Sequence, residues 1–207
     1  MLIQWVEAMT LNDCHFSLLT KELHDQLTGF DCSREPDIEK FFREECVLND
    51  SQLLSSTYCF YLPETKEAVA GFCILCSDIS TSAIPKKMRN KINRKIPYVK
   101  QRDQYPAILI GQLAVFDKFA AVHLGNELME DIKAWLAGLV RNVGARYIIV
   151  DAVNDVHVLN YYLRNKFLFV FQEESDEREA LELVEEEPLS TRFMLCDLKP
   201  TFDSLMQ

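Results

Sequence analysis

The segment Phe119-Ala120-Ala121-Val122-His123-Leu124-Gly125 joins an apolar run at 107–115 to a long amphipathic stretch. Its small side chains, Ala120, Ala121 and Gly125, let a ligand approach the backbone closely. With a strand before it and a helix after it, such a turn aims several backbone N–H groups outward. The helix N-terminus adds about half a unit of positive charge, which suits an anion such as a pyrophosphate. A second feature is the pair Tyr161-Tyr162 on a predicted short helix at 156–165. The two are adjacent, so only one can face a cleft, and the alternative reading is that Tyr162 is a core aromatic on an amphipathic helix.

The elements that must position these residues follow from hydrophobic patterning. Pro36 opens a helix with apolar positions Ile38, Phe41, Phe42 and Cys46. Runs at 58–62 and 69–76 are β-rich and flank the turn-like Pro63-Glu64-Thr65-Lys66, a hairpin pattern. Ile84, Met88, Ile92 and Ile96 recur every four residues, a narrow stripe on an otherwise basic helix. The run at 107–115 reads as a buried central strand. The helix after it carries Leu124, Leu128, Ile132, Trp135, Leu136, Leu139 and Val140 on one face and closes at Asn142 and Gly144. Strands at 147–153, 167–171 and 191–198 complete an α+β (α/β-like) pattern: a mixed sheet with helices on both faces. Neither an internal repeat nor a low-complexity linker interrupts the chain, so a single domain over 1–207 is expected, with 172–190 as an acidic insertion and 191–198 as the last strand.

Net charge is −10, which argues against a general nucleic-acid binder. The average hides two blocks. Residues 85–102 carry eight lysines and arginines and no acid, while 173–187 carry nine acids against Arg178 alone. Within the basic block, Lys87, Lys91, Arg94 and Lys95 form a candidate acceptor or RNA surface, or simply a solvated face that balances the acids. The seven cysteines are odd in number and lie mostly in apolar runs, the pattern of reduced, buried thiols. Cys73 and Cys76 are three apart on a strand, point to opposite faces and cannot share a metal; with four scattered histidines, no metal site is expected. No apolar run is long enough to span a bilayer and the first residues lack a signal-peptide pattern, so a cytoplasmic protein without membrane contact is expected.

Leu113-Ala114-Val115, followed at its fixed spacing by 119–125, resembles the signature of the GNAT superfamily of N-acetyltransferases. There a strand ending Leu-Ala-Val precedes a Q/R-x-x-G-x-G/A loop that holds the CoA pyrophosphate. Downstream, Val150-Asp151-Ala152-Val153-Asn154 and Tyr161-Tyr162-Leu163-Arg164-Asn165-Lys166-Phe167 are similar to the family's fifth strand and its Y-x-x-x-G-F segment, with Tyr162 in register with the family tyrosine. Gly29-Phe30-Asp31-Cys32 and the Phe41-Phe42 helix resemble the opening of a subgroup that includes toxins acetylating aminoacyl-tRNA. The resemblance spans about 24–171. Ala120 stands at the usual Gln or Arg, His123 at the first loop glycine, Lys166 at the glycine of the tyrosine motif, and Gln112 at the subgroup's arginine.

The resemblance implies a GNAT fold: about seven mostly antiparallel strands splayed at the middle, with about four helices on both faces. It implies direct acetyl transfer from acetyl-CoA to an amine, with no metal. Leu113, Ala114, Val115, Ala120, Ala121, Val122, His123, Leu124, Gly125, Asn126 and Asn154 are then the cofactor-binding candidates, and Tyr162 the general acid to the CoA thiolate. Asp117 and Asp151 stand near strand ends, but each reads as a solvated residue, and no general base is assigned. The implied partners are acyl-CoA, a tRNA acceptor and an antitoxin-like protein, the chain being a monomer or homodimer. The alternative is a degenerate member that binds acyl-CoA, or only keeps the fold for protein interaction, without turnover.

Overall fold

The computed structural model describes residues 9–94, 96, 103–183 and 188–207. Seven strands form one sheet in the order β1-β2-β3-β4-β5-β7-β6. They are β1 His15–Leu18, β2 Ser56–Tyr61, β3 Ala68–Ser80, β4 Gln104–Val115, β5 Tyr147–Val153, β6 Leu168–Phe169 and β7 Thr191–Asp197. The helices are α1 Lys21–His24, α2 Pro36–Lys40, α3 Cys46–Ser51, α4 Lys86–Arg94, α5 Gly125–Val143, α6 Val156–Arg164, α7 Glu174–Ala180 and α8 Lys199–Leu205. The mixed sheet and helices bear out the expected α+β architecture. Contacts group the chain into two compact units, one up to Leu75 together with Ile110–Ile132, the other Cys76–Leu109 with Lys133–Gln207. The chain passes between them inside β3, β4 and α5. Among the described residues, no helix is long and apolar enough to cross a membrane.

In the first unit, β1, β2 and β3 pair antiparallel in sequence order. The helix opened by Pro36 is not uniform: a π-turn at Phe41–Glu45 separates α2 from α3. That turn keeps both phenylalanines on the buried side, and Phe42 is 0% exposed. Its ring meets Phe116 edge-on at 5.2 Å. Only a glycine fits opposite, because a Cβ at position 71 would lie 2.7 Å from the Phe42 ring. Leu19, Leu27, Phe30, Cys59, Cys73 and Ala114 belong to the same core. Phe116 is further held by its N–H, which donates to the Val69 carbonyl at 3.0 Å, so the exit of β4 is fixed.

In the second unit, the Ile84, Met88 and Ile92 stripe is buried as its spacing predicts, against Tyr105, Ala107, Tyr147 and Val170. β4 pairs with β5 in parallel over Ala107–Leu109 against Tyr147–Ile149, yet β4 continues to Val115 and β5 to Val153. β5 pairs antiparallel with β7 along its whole length. The strand expected at 167–171 shortens to Leu168–Phe169, because Val170 and Phe171 turn into the core and the Arg192 guanidinium takes the Phe171 carbonyl. β3 runs four residues past the expected Cys76, carried by buried Ile79. Beyond the last expected strand, α8 follows β7 with Pro200 in its first turn.

Candidate functional site

Apart from Asn154, which lies in the second unit, the candidate cofactor-binding residues form the end of β4 and the segment after it, in the first unit. Leu113 and Val115 are half-buried and Ala114 is buried, while Phe116 and Phe119 anchor the turn from within. A short 3-10 helix, Asp117–Val122, then leads through His123 and buried Leu124 to Gly125, the first residue of α5. Ala120, Ala121, His123 and Asn126 are exposed, and Val122 and Gly125 are half-buried. The anchored aromatics and exposed small residues make a side-chain-poor rim at the start of a 19-residue helix. In any α-helix the first-turn amides point out of that end, where the dipole is positive. The rim is therefore chemically suited to a pyrophosphate.

His123 adopts φ 60° and ψ 32°, the left-handed conformation. Glycine reaches it without strain, and histidine is among the few other residues that visit it readily. The resemblance called for glycine at this position, and the backbone shows why. Asp117, near the same turn, is committed elsewhere. Its carboxylate accepts the Ser33 N–H at 2.9 Å, and hydrogen bonds from Ser33 hold its pKa below the usual carboxylate range. Asp117 is therefore a turn residue rather than a base.

Tyr162 lies on α6 in the second unit. Asp155 caps this helix, its carboxylate accepting the His157 and Val158 amides at 2.8 and 3.2 Å. Tyr162 is 8% exposed and packs edge-on against Tyr161 and Phe167, with ring centres 5.2 and 5.1 Å away. Burial pushes its pKa up to about 12 and raises that of Tyr161 as well, so the Tyr162 phenol keeps its proton at neutral pH. The helix ends in a Schellman turn: Lys166 N–H donates to Leu163 and Phe167 N–H to Tyr162, both at 3.0 Å. Lys166 takes φ 68° there, again the left-handed conformation that the missing family glycine would occupy. Asp151, on β5, remains exposed at its side chain, and partial desolvation raises its pKa.

The Asn154 amide serves the fold: it donates to Glu174 Oε2 at 3.1 Å and to the Leu189 carbonyl at 2.8 Å. The acidic segment is thus more than a solvated run. Glu177 is 3% exposed and pairs at 2.6 Å with Arg192, itself 7% exposed, while its other oxygen accepts the Phe193 N–H at 2.6 Å. Sequence reasoning missed this pair, since one buried acid among nine looks like its neighbours. Lys87, Lys91 and Arg94 are exposed on α4, as a surface for an anionic acceptor requires, and Lys95 lies outside the described residues. Lys87 and Lys91 also line a cavity of about 420 Å³, together with Met88, Val170 and Asp176.

No family model matches the chain. A tRNA-acetylating toxin from Mycobacterium tuberculosis is 26% identical over 131 residues, 63% of this chain and 72% of that protein. Among solved structures, a Tyr-to-Phe mutant of KacT superposes with a TM-score of 0.68 at 18% identity, covering 93% of this chain and 99% of that one. AtaT complexed with acetyl-methionyl-tRNAfMet gives 0.66 at 18% identity, covering 94% and 100%. A Tyr-to-Phe mutant of AtaT bound to the C-terminus of the antitoxin AtaR and acetyl-CoA gives 0.64 at 14% identity, covering 94% and 99%. These likenesses establish the fold shared with those proteins.

Proposed function

We propose that this chain, GNAT-like in its motifs and similar to toxin acetyltransferases in sequence and fold, transfers acetyl from acetyl-CoA to the amino group of an aminoacyl-tRNA. The observation that carries the reading is the backbone at His123 and Lys166. Both residues replace family glycines, and both hold the left-handed conformation that a glycine would have taken. Both turns keep a glycine-like course although their side chains changed, which supports an intact start of α5 and an intact end of α6. This favours turnover over a degenerate binder.

In this reading the α5 N-terminus, with Ala120, Ala121, Val122, His123, Leu124, Gly125 and Asn126, receives the pyrophosphate. The tail of β4 at Leu113, Ala114 and Val115 offers main-chain groups to the pantetheine, and an N–H there polarises the thioester carbonyl as its oxygen gains charge. The acceptor amine attacks directly. An α-amino group, with a pKa near 8, loses its proton without a strong base, which fits a chain where Asp117 is tied to Ser33. Tyr162 holds its proton until the CoA thiolate leaves, then gives it up as general acid. Asn154 is omitted from the binding set because its amide secures α7.

Lys87, Lys91 and Arg94 would contact tRNA phosphates, and an antitoxin-type protein would be the protein partner, as the AtaT mutant toxin is bound to the C-terminus of the antitoxin AtaR. A cytoplasmic location follows from that acceptor. Calorimetry with acetyl-CoA, then thiol release in the presence of an aminoacyl-tRNA pool, tests the reading. Binding with tRNA-dependent release supports it. Binding without release under any amine would leave the non-turnover alternative, and no binding would refute both. Neutralising Lys87, Lys91 and Arg94 together is expected to weaken tRNA binding and flatten its salt dependence.

A further inference from the structure

Lys133 lies on α5 between the apolar positions Ile132 and Leu136, where the helical pattern calls for a hydrophobic residue. It is 4% exposed. A buried amine is costly unless something accepts its hydrogens. Its Nζ donates to the Asn165 carbonyl at 3.1 Å. Asn165 is the C-cap of α6, so the lysine reaches the negative end of that helix. The Asn165 side chain in turn donates to the Tyr161 carbonyl at 2.9 Å. The next two residues make the Schellman bonds to Leu163 and Tyr162. Each tie falls on the single turn that carries the two tyrosines.

We propose that Lys133 is a positioning residue for acetyl transfer: by gripping the C-cap of α6, it holds Tyr162 in the orientation from which the phenol protonates the leaving thiolate. The inference rests on the acetyl-transfer reading above. In that step the amine forms the amide C–N bond, the thioester C–S bond breaks, and the thiolate takes the Tyr162 proton. The phenolate regains a proton from solvent, which has received the one lost by the amine. Lys133 takes part in none of these transfers. It fixes the donor, and misplacement of a reacting group by about 1 Å can cost on the order of 100-fold in rate. The aliphatic reading of Lys133 as mere filler predicts instead that an isosteric apolar side chain serves as well.

The test is a double-mutant cycle with Lys133→Met and Tyr162→Phe, read as kcat and KM for acetyl-CoA with an aminoacyl-tRNA pool. Lys133→Met is expected to lower kcat by roughly 10- to 100-fold with KM for acetyl-CoA within about twofold. In the Tyr162→Phe background the same change should cost less than about twofold, because the group it positions is gone. Lys133→Arg, which keeps a donor, should recover most of the loss. Amide hydrogen exchange of the full chain supplies a readout independent of activity: Lys166 and Phe167 should exchange faster in Lys133→Met and at the parent rate in Lys133→Arg. Should Lys133→Met fold poorly, Lys133→Leu, likewise without a donor, provides the same comparisons. Equal kcat losses in both backgrounds, or unchanged exchange at Phe167, would overturn the proposal. A parent protein that transfers no acetyl group would sink the functional reading instead, and the exchange arm would still decide whether the grip exists.

Discussion

Replacing Lys166 with glycine tests the claim that both motif turns keep their family geometry without their glycines. At φ 68° a lysine carries the left-handed penalty of an L-residue, about 1–2 kcal/mol. Glycine removes that strain, but it gives the unfolded chain more freedom, which costs about 0.5–1 kcal/mol. The difference is a gain of about 0–1.5 kcal/mol, or roughly 0–6 °C in Tm for a chain of this size. His123→Gly should gain less, since histidine tolerates the conformation better than most residues. Because His123 is exposed on the rim at the α5 N-terminus, its removal should also tighten acetyl-CoA binding. Lys166→Ala is the control: it removes the same charge but keeps a Cβ, so its Tm should match the parent or fall below it. Thermal denaturation of the three variants, with calorimetric titration of acetyl-CoA, decides the matter. If Lys166→Gly melts below the parent, or if alanine stabilises as much as glycine, the left-handed strain is not what distinguishes this position.

Four further outcomes are expected. Tyr162→Phe should lower kcat by about 10²–10⁴-fold while leaving acetyl-CoA binding near the parent value, and unchanged turnover would remove the general-acid role. Because burial raises the Tyr162 pKa to about 12, the parent kcat/KM should rise as the acceptor amine deprotonates and show no descending limb up to pH 10; a fall near pH 9 would contradict it. Gly71→Ala should destabilise the fold by about 1–3 kcal/mol in urea denaturation, since its methyl would press on the fully buried Phe42 ring. Glu177→Ala should cost about 3–5 kcal/mol, stranding the Arg192 guanidinium, and Glu177→Met with Arg192→Met should recover much of that loss.

The order of elements was legible because their patterns are strong and local. The stripe Ile84, Met88, Ile92 is buried as its period requires, and Gly144 ends α5 with φ 78°. Residues 107–115 and 147–153 fall within β4 and as β5, because continuous apolar runs have few other stable fates. What escaped the sequence was any feature set by a distant partner. Nothing local distinguishes Phe42 on a π-turn from Phe42 on a regular helix; the ring of Phe116 and the bare Gly71 decide it. Likewise, nothing in the acidic run marks Glu177 as the residue that meets Arg192.

For the candidate site, the sequence by itself determined the residue types and their spacing: a strand, a turn of small residues, a long helix, a strand and a helix with Tyr162. It also revealed that two motif glycines had been replaced, which on side chains alone counts against the site. Only the tertiary structure decided that His123 and Lys166 adopt glycine's conformation, because φ is set by the bonds and packing around each turn rather than by the residue within it. The same holds for Asn154, claimed by Glu174 and Leu189, and for Lys133, whose neighbours in sequence give no hint that its amine ends on the C-cap of α6.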